Sequence, residues 1–76
     1  PMENMLIDAL KHFKGPTLIL DVSKYIWNKY EDDIRKSDEM LYKWQYKLRW
    51  AATMLHQKGT ITMDKKGTYG LWAIKS

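Results

Sequence analysis

Cationic and aromatic side chains alternate in one short segment of the sequence, residues 42–50. The candidate contact residues of this segment are Tyr42, Lys43, Tyr46, Lys47 and Arg49. Lysine contacts a phosphate as a point charge, arginine can bind guanine through two hydrogen bonds, and tyrosine can hydrogen-bond a phosphate or stack on a base. The chemistry that this combination supports is noncovalent recognition of a polyanion.

The charge of the chain is divided unevenly along its length. Residues 1–39 hold six Lys or Arg and eight Asp or Glu, for a net charge of −2, whereas residues 40–76 hold seven Lys or Arg and one acid, for a net charge of +6. Positive charge gathered on one half of a small protein is typical of proteins that dock on nucleic acid. We therefore expect the contact surface in the second half.

A second candidate contact lies at a turn predicted over residues 64–67. Its side chains Lys65 and Lys66, with Thr68 just after the turn, can reach phosphates or a minor groove if the turn lies against a duplex. The alternative is that lysine and glycine are simply what an exposed hairpin turn carries.

The sequence holds no arrangement typical of catalysis or metal binding. It has no cysteine, its two histidines are far apart, and it lacks both a Ser-His-Asp set and a glycine-rich phosphate loop. We therefore predict no enzymatic activity, no catalytic residue, no metal and no cofactor. The acidic run Glu31, Asp32 and Asp33 is interpreted as a solvated helix end or as a surface for a protein partner.

Two helices and a short strand are predicted in the first half of the chain. Apolar residues at three- and four-residue spacing indicate a helix over residues 3–14, which Gly15 ends. Residues 17–20 are apolar and partly β-branched, which favours a short strand or extended link. Asp21 is the predicted N-cap of a second helix over residues 22–36.

A third helix and a hairpin are predicted in the second half. The helix covers residues 39–58 and ends at Gly59. Its opposite face carries the basic and aromatic residues described above, and the β-prone runs 60–63 and 69–74 then form a hairpin. The apolar stripe of this helix consists of Leu41, Trp44, Leu48, Ala51, Ala52 and Leu55.

Seventy-six residues provide material for one core, so we predict a single α+β domain over residues 1–76. Pro1 is interpreted as a processing remnant. Trp27, Trp44 and Trp72 are predicted to be core or rim residues. Trp50 is also predicted to be buried, because a helix between other helices and a hairpin can be covered on more than one side.

The predicted order of helix, strand, helix, helix and hairpin is that of a winged helix-turn-helix domain. The pattern Arg49-Trp50-Ala51, Leu55, Gly59, Lys65-Lys66-Gly67 and Trp72-Ala73-Ile74 resembles the N-terminal winged-helix domain of Mrr-type restriction endonucleases. This resemblance covers residues 40–76. It implies that the third helix enters the major groove, that the hairpin is the wing, and that Trp50 packs under the wing.

We therefore expect a winged-helix domain that binds double-stranded DNA, as a regulator or as the targeting module of a larger enzyme. A protein-interaction module is the alternative, since a fold does not fix function, and binding of single-stranded nucleic acid through the aromatic rings is a third possibility. The absence of cysteine suits the cytoplasm. No apolar run approaches the roughly 20 residues that span a bilayer, so we expect no membrane partner.

Overall fold

Three helices and a three-stranded antiparallel sheet make up residues 2–75, the part of the chain that the computed structural model describes. Pro1, which we interpreted as a processing remnant, lies outside the described residues. The predicted α+β winged helix-turn-helix arrangement is confirmed. The elements are α1 (Met2–Phe13), β1 (Thr17–Leu18), α2 (Ile19–Ile34), α3 (Asp38–Gln57), β2 (Ile61–Lys66) and β3 (Tyr69–Ile74).

Helix α1 ends at a left-handed residue that is not the predicted glycine. Lys14 has a φ of 59°, and its N–H donates to the carbonyl of Leu10 at 3.2 Å. This bond closes a left-handed C-terminal cap, a position that glycine usually occupies because a side chain is disfavoured there. The prediction that Gly15 terminates the helix was therefore wrong by one residue.

Helix α2 begins three residues earlier than predicted. Strand β1 contains only two residues, with Thr17 opposite Trp72 and Leu18 opposite Leu71, and the chain then passes directly into the helix. Leu18 occupies the N-cap, where its side chain can accept no hydrogen bond, and Asp21 lies in the first turn. The prediction of Asp21 as the cap was therefore wrong. An acid in the first turn still stabilises the helix through its interaction with the helix dipole.

Helix α3 has a hydrogen-bonded cap at each end and lies within one residue of its predicted bounds. At its start, the Ser37 hydroxyl accepts from the Met40 N–H at 3.2 Å. At its end, Gly59 takes a φ of 78° and donates to the His56 carbonyl, while Thr60 donates to the Leu55 carbonyl. These two bonds form a Schellman motif, which directs the chain out of the helix toward β2.

Strands β2 and β3 form a longer hairpin with a tighter turn than predicted. Asp64, Lys65 and Lys66 were assigned to the turn, but they pair with β3 and belong to β2. The turn consists of Gly67 and Thr68, and Gly67 has a φ of 63°. A glycine with positive φ at the first of two turn positions permits a tight hairpin, so both strands extend up to it.

The core lies between the three helices and one face of the sheet. The predicted inward residues of the hairpin are confirmed, since Ile61 and Trp72 are buried and Met63 and Ile74 pack against the core. Trp44 is also buried and stacks on the half-buried Trp27, as predicted for core and rim residues. Five of the six predicted stripe residues of α3 are buried: Trp44, Leu48, Ala51, Ala52 and Leu55.

One polar cluster ties α1 to α2. The Asp8 carboxylate accepts from Lys29 at 2.7 Å, from the Tyr30 hydroxyl at 2.7 Å and from the Tyr25 hydroxyl at 3.3 Å. These donors, with Lys29 first and Tyr30 second, lower the pKa of Asp8 below its ordinary value of 3.8. The ionised carboxylate is therefore the form that the folded protein favours.

Asp8→Asn is expected to destabilise the protein at pH 7 but hardly at all in acid. A lowered pKa gives a stabilisation that is complete above the unfolded value near 4 and is lost as the pH falls through the folded pKa. Because the Asp8 side chain keeps 34% of its exposure, screening limits the effect. We expect a loss of about 1 kcal/mol, roughly 4 to 8 °C in Tm.

Melting curves of both proteins between pH 7 and pH 2.5 measure this difference. The two Tm values should begin to converge below about pH 4 and should meet once the pH lies below the lowered pKa of Asp8, where the folded wild-type carboxyl is protonated as well. Asp32→Asn is the matched control, because this exposed carboxylate has no hydrogen-bond or ion-pair partner among residues 2–75. A Tm difference that persists unchanged in acid would show that the carboxylate charge is not what stabilises the cluster.

Candidate nucleic-acid interface

The face of α3 that points away from the core carries large aromatic side chains. Tyr42 is 80% exposed, Tyr46 is 64% exposed and Trp50 is 55% exposed. The prediction that Trp50 is buried was therefore wrong. Each residue turns about 100° around a helix, which places Trp50 opposite the buried stripe, and the hairpin does not extend over it. The resemblance to another family's core position had outweighed this periodicity.

The cations of α3 differ in how much of their charge is available. The Lys47 ammonium lies 2.9 Å from the Glu39 carboxylate and holds the pKa of Glu39 below its usual range. Lys43 and Arg49 are exposed, and neither forms an ion pair within residues 2–75. Lys43 and Arg49 are therefore the stronger candidates for contact with an anionic ligand.

A cleft of about 380 Å³, the wing cleft, separates α3 from the start of α2 and the tip of the hairpin. Arg49 lines it from α3, Ser23 from α2, and Thr68 from the hairpin turn. Among residues 2–75, none that lines this cleft carries a carboxylate. The fold thus brings together Arg49 and Thr68, two predicted contact residues that are separated by 18 positions in the sequence.

The start of α2 adds a feature to the wing cleft that the sequence did not reveal. Because the helix begins at Ile19, its first-turn amides lie beside the cleft, and the Leu18 side chain cannot cap them. Uncapped amides and the helix dipole both favour an anion at a helix start. Because the sequence predicted the start of α2 at residue 22, it did not place these amides beside the cleft. The sequence also did not predict that Gln45 and Tyr69 line the cleft.

Lys65 and Lys66 leave the hairpin in opposite directions. Side chains alternate along a strand, so Lys65 shares the helix side of β2 with Met63, whereas Lys66 lies on the outer side. Their partners on β3 are Gly70 for Lys65 and Tyr69 for Lys66. The expectation that both lysines project together from the tip is therefore wrong, and Lys65 is the lysine on the side of the wing cleft.

Comparisons of the chain with protein-family models, with curated proteins and with solved structures found no match. The resemblance to the Mrr-type winged-helix domain therefore stays a prediction.

The remaining predicted features also have defined places in the structure. In the acidic run, Glu31 pairs with Arg35 at 2.7 Å and Asp33 pairs with Lys36 at 3.1 Å, which leaves Asp32 without an ion pair in the described chain. Within residues 2–75 no group of three His, Cys, Asp or Glu side chains is placed to hold a metal ion. The helices of this same range are too short or too polar to cross a membrane.

Proposed function

We propose that this chain binds double-stranded DNA, with α3 in the major groove and the hairpin on the backbone, as a regulator or as the targeting module of a larger enzyme. The observation that carries the proposal is the wing cleft, where Arg49 meets the hairpin turn without any carboxylate among the lining residues. A recognition helix flanked by backbone-contacting elements is the way helix-turn-helix proteins dock on a duplex.

Three elements that surround the wing cleft supply different kinds of contact. Helix α3 presents Arg49 for base edges, with Tyr42 and Lys43 exposed in its N-terminal half. The start of α2 offers backbone amides to a phosphate. The hairpin adds the Thr68 hydroxyl and the Lys65 ammonium for the adjacent backbone. The wing cleft is thus surrounded by elements that can contribute base contacts and backbone contacts together.

The distribution of acids supports the same surface. In residues 40–76 the one acid is Asp64, which lies opposite Leu71 on the outer side of the hairpin. The other eight acids belong to residues 1–39. Three of these eight lie in the first turns of α2 and α3. Repulsion between carboxylates and phosphates would therefore favour the approach of a duplex from the hairpin and from the part of α3 that follows its first turn.

A fluorescence-anisotropy titration with a random 20-bp duplex at 50 and 200 mM salt tests the proposal. Lys43, Arg49, Lys65 and Lys66 bring about four cations to the DNA, and the released counterions then predict a loss in affinity of about 100-fold between the two salts. Lys65→Ala/Lys66→Ala should weaken binding similarly for all duplex sequences and flatten the log–log salt slope by about two at most. Lys65→Ala alone should account for the larger part of this loss in affinity.

Lys11→Ala/Lys75→Ala is the matched control for this titration. Both lysines line a cleft with Thr62 and Ile74, at the end of the hairpin away from its turn. The control removes the same charge and should leave the slope nearly unchanged. If the affinity for the duplex does not change with salt, or if both double variants lose the same amount of affinity, the proposed surface is contradicted.

A further inference from the structure

An apolar groove runs between α1 and α3 on the flank of α3 away from the wing cleft. It has a volume of about 800 Å³ and is called the methionine groove here. Four of the five methionines in the sequence line it, and the fifth, Met63, lies on the hairpin. The apolar side chains that define the methionine groove are Met2, Met5, Met40, Trp50 and Met54.

The side chains of α3 that line the methionine groove are large and apolar, but they are largely exposed to solvent. Tyr46, Trp50 and Met54 are spaced four residues apart and are 64%, 55% and 43% exposed. Contiguous apolar surface of this kind marks interaction sites on soluble proteins, and tryptophan, tyrosine and methionine are the residues enriched there. Methionine side chains also adapt their shape to a partner.

The charge around the methionine groove is negative. Glu3 lines it from α1 and has no cation partner within residues 2–75, and Asp33, which is paired with Lys36, lines it from the end of α2. The corner between α2 and α3, residues 31–39, holds five acids and two bases, for a net charge of −3. When Glu3 and Lys47, the cation that lines the groove and pairs with Glu39, are added to this corner, the net charge is still −3. An occupant of the groove is therefore expected to be basic.

The walls of the methionine groove also indicate the shape of the occupant. From Met40 to Met54, α3 advances 14 residues, or about 21 Å, which matches about four turns of helix. A groove between two helices that is lined by flexible apolar side chains suits an amphipathic helix laid along it. We propose that the methionine groove binds a basic amphipathic helix of a partner protein, through apolar anchors that pack on Trp50 and Met54.

This site adjoins the proposed DNA surface on α3, but the residues that carry the two proposals differ. Arg49 and Gln45 line the wing cleft, whereas Trp50 and Met54 line the methionine groove on the other flank of α3. Of the predicted DNA contacts, Tyr46 and Lys47 line the methionine groove as well. A partner helix and a duplex can therefore be tested separately on the same chain.

The probe is an 18-residue peptide of leucine and lysine with leucine at helical i, i+3, i+4 and i+7 spacing, titrated by calorimetry. Trp50→Ala should weaken its binding at least tenfold, because buried tryptophan anchors commonly dominate such interfaces. Tyr42→Ala is the matched control, since it removes an even more exposed ring from the same helix outside the groove, and it should change the affinity less than twofold. Glu3→Gln/Asp33→Asn should weaken binding and reduce its salt dependence.

Two control peptides and one further measurement, sedimentation of the chain, define the outcomes. A peptide of the same composition in an order without an apolar face, and one with glutamate in place of lysine, should both bind at least tenfold more weakly. Equal binding of the three peptides, or equal losses in Trp50→Ala and Tyr42→Ala, would overturn the proposal. The proposal would also be overturned if sedimentation shows that the chain forms a dimer and that Trp50→Ala dissociates it, because the occupant of the groove would then be a second copy of the chain.

The two sites fail independently. Lys65→Ala, which is expected to weaken duplex binding, should leave peptide binding unchanged within about twofold, since Lys65 lies on the hairpin and does not line the groove. If Trp50→Ala weakens peptide binding but the wild-type protein does not bind duplex DNA, the proposal for the methionine groove is supported and the proposed function is contradicted. If Trp50→Ala weakens duplex binding as strongly as peptide binding, the methionine groove is not a separate site.

Discussion

Arg49→Glu is expected to reduce the affinity for duplex DNA by about 100-fold or more at moderate salt, because a charge-assisted contact is replaced by repulsion from the same phosphate or base. Arg49 lines the wing cleft and forms no ion pair within residues 2–75, so its entire charge is available to the ligand. Lys43→Glu should act in the same direction. Anisotropy titrations with one duplex at one salt concentration measure both losses.

Folding and binding can be separated in these variants. Lys43 and Arg49 are exposed, so their replacement should change the free energy of unfolding by about 0.5 kcal/mol at most and leave the far-UV spectrum intact. Lys11→Glu is the matched control, since it makes the same change of charge at the far end of the hairpin. It should weaken duplex binding no more than about threefold. Unchanged affinity in both α3 variants would favour the protein-interaction function over DNA binding.

Helix α3 illustrates what the sequence predicts well. Apolar spacing alone places its buried residues, and Ser37 and Gly59 set its ends through local hydrogen bonds. The same periodicity places Trp50 on the exposed side, where the structure has it. Burial of Trp50 was predicted from a resemblance to other proteins. The period of 3.6 residues holds for any α-helix, so it applies directly to α3. The burial of the Trp50 ring depends on neighbouring elements, which can differ between this chain and another protein.

The wing cleft illustrates what the sequence does not predict. Its lining comes from α2, α3 and the hairpin turn, and the distance between Arg49 and Thr68 depends on how these elements pack. The start of α2 was misplaced because residues 17–20 have strand-like composition, while the sheet pairs only the first two of them. The turn was misplaced because charged residues suggest a loop, although the positive φ at Gly67 fixes the hairpin.

Leu48→Ala and Leu55→Ala are each expected to lower the free energy of unfolding by about 2 to 5 kcal/mol. Both side chains lie on the buried side of α3, with 1% and 3% of their surface exposed, among residues of all three helices and the sheet. Truncation removes apolar contact and leaves a cavity that the surrounding residues fill only in part. A domain of this size has a total stability of about 4 to 11 kcal/mol, so either change should unfold a large fraction of the protein or bring it close to unfolding.

Urea denaturation followed by far-UV circular dichroism measures these losses, and Met54→Ala is the matched control. Met54 lies on the same helix but is 43% exposed, so its truncation should lower the free energy of unfolding by less than about 1 kcal/mol. The contrast depends on the rotation of α3 about its axis, since a helix turned by half a revolution would bury Met54 and expose Leu48. Near-wild-type curves for both leucine variants would therefore contradict the placement of α3, and with it the exposure of Arg49 and Trp50 on which both proposed surfaces depend.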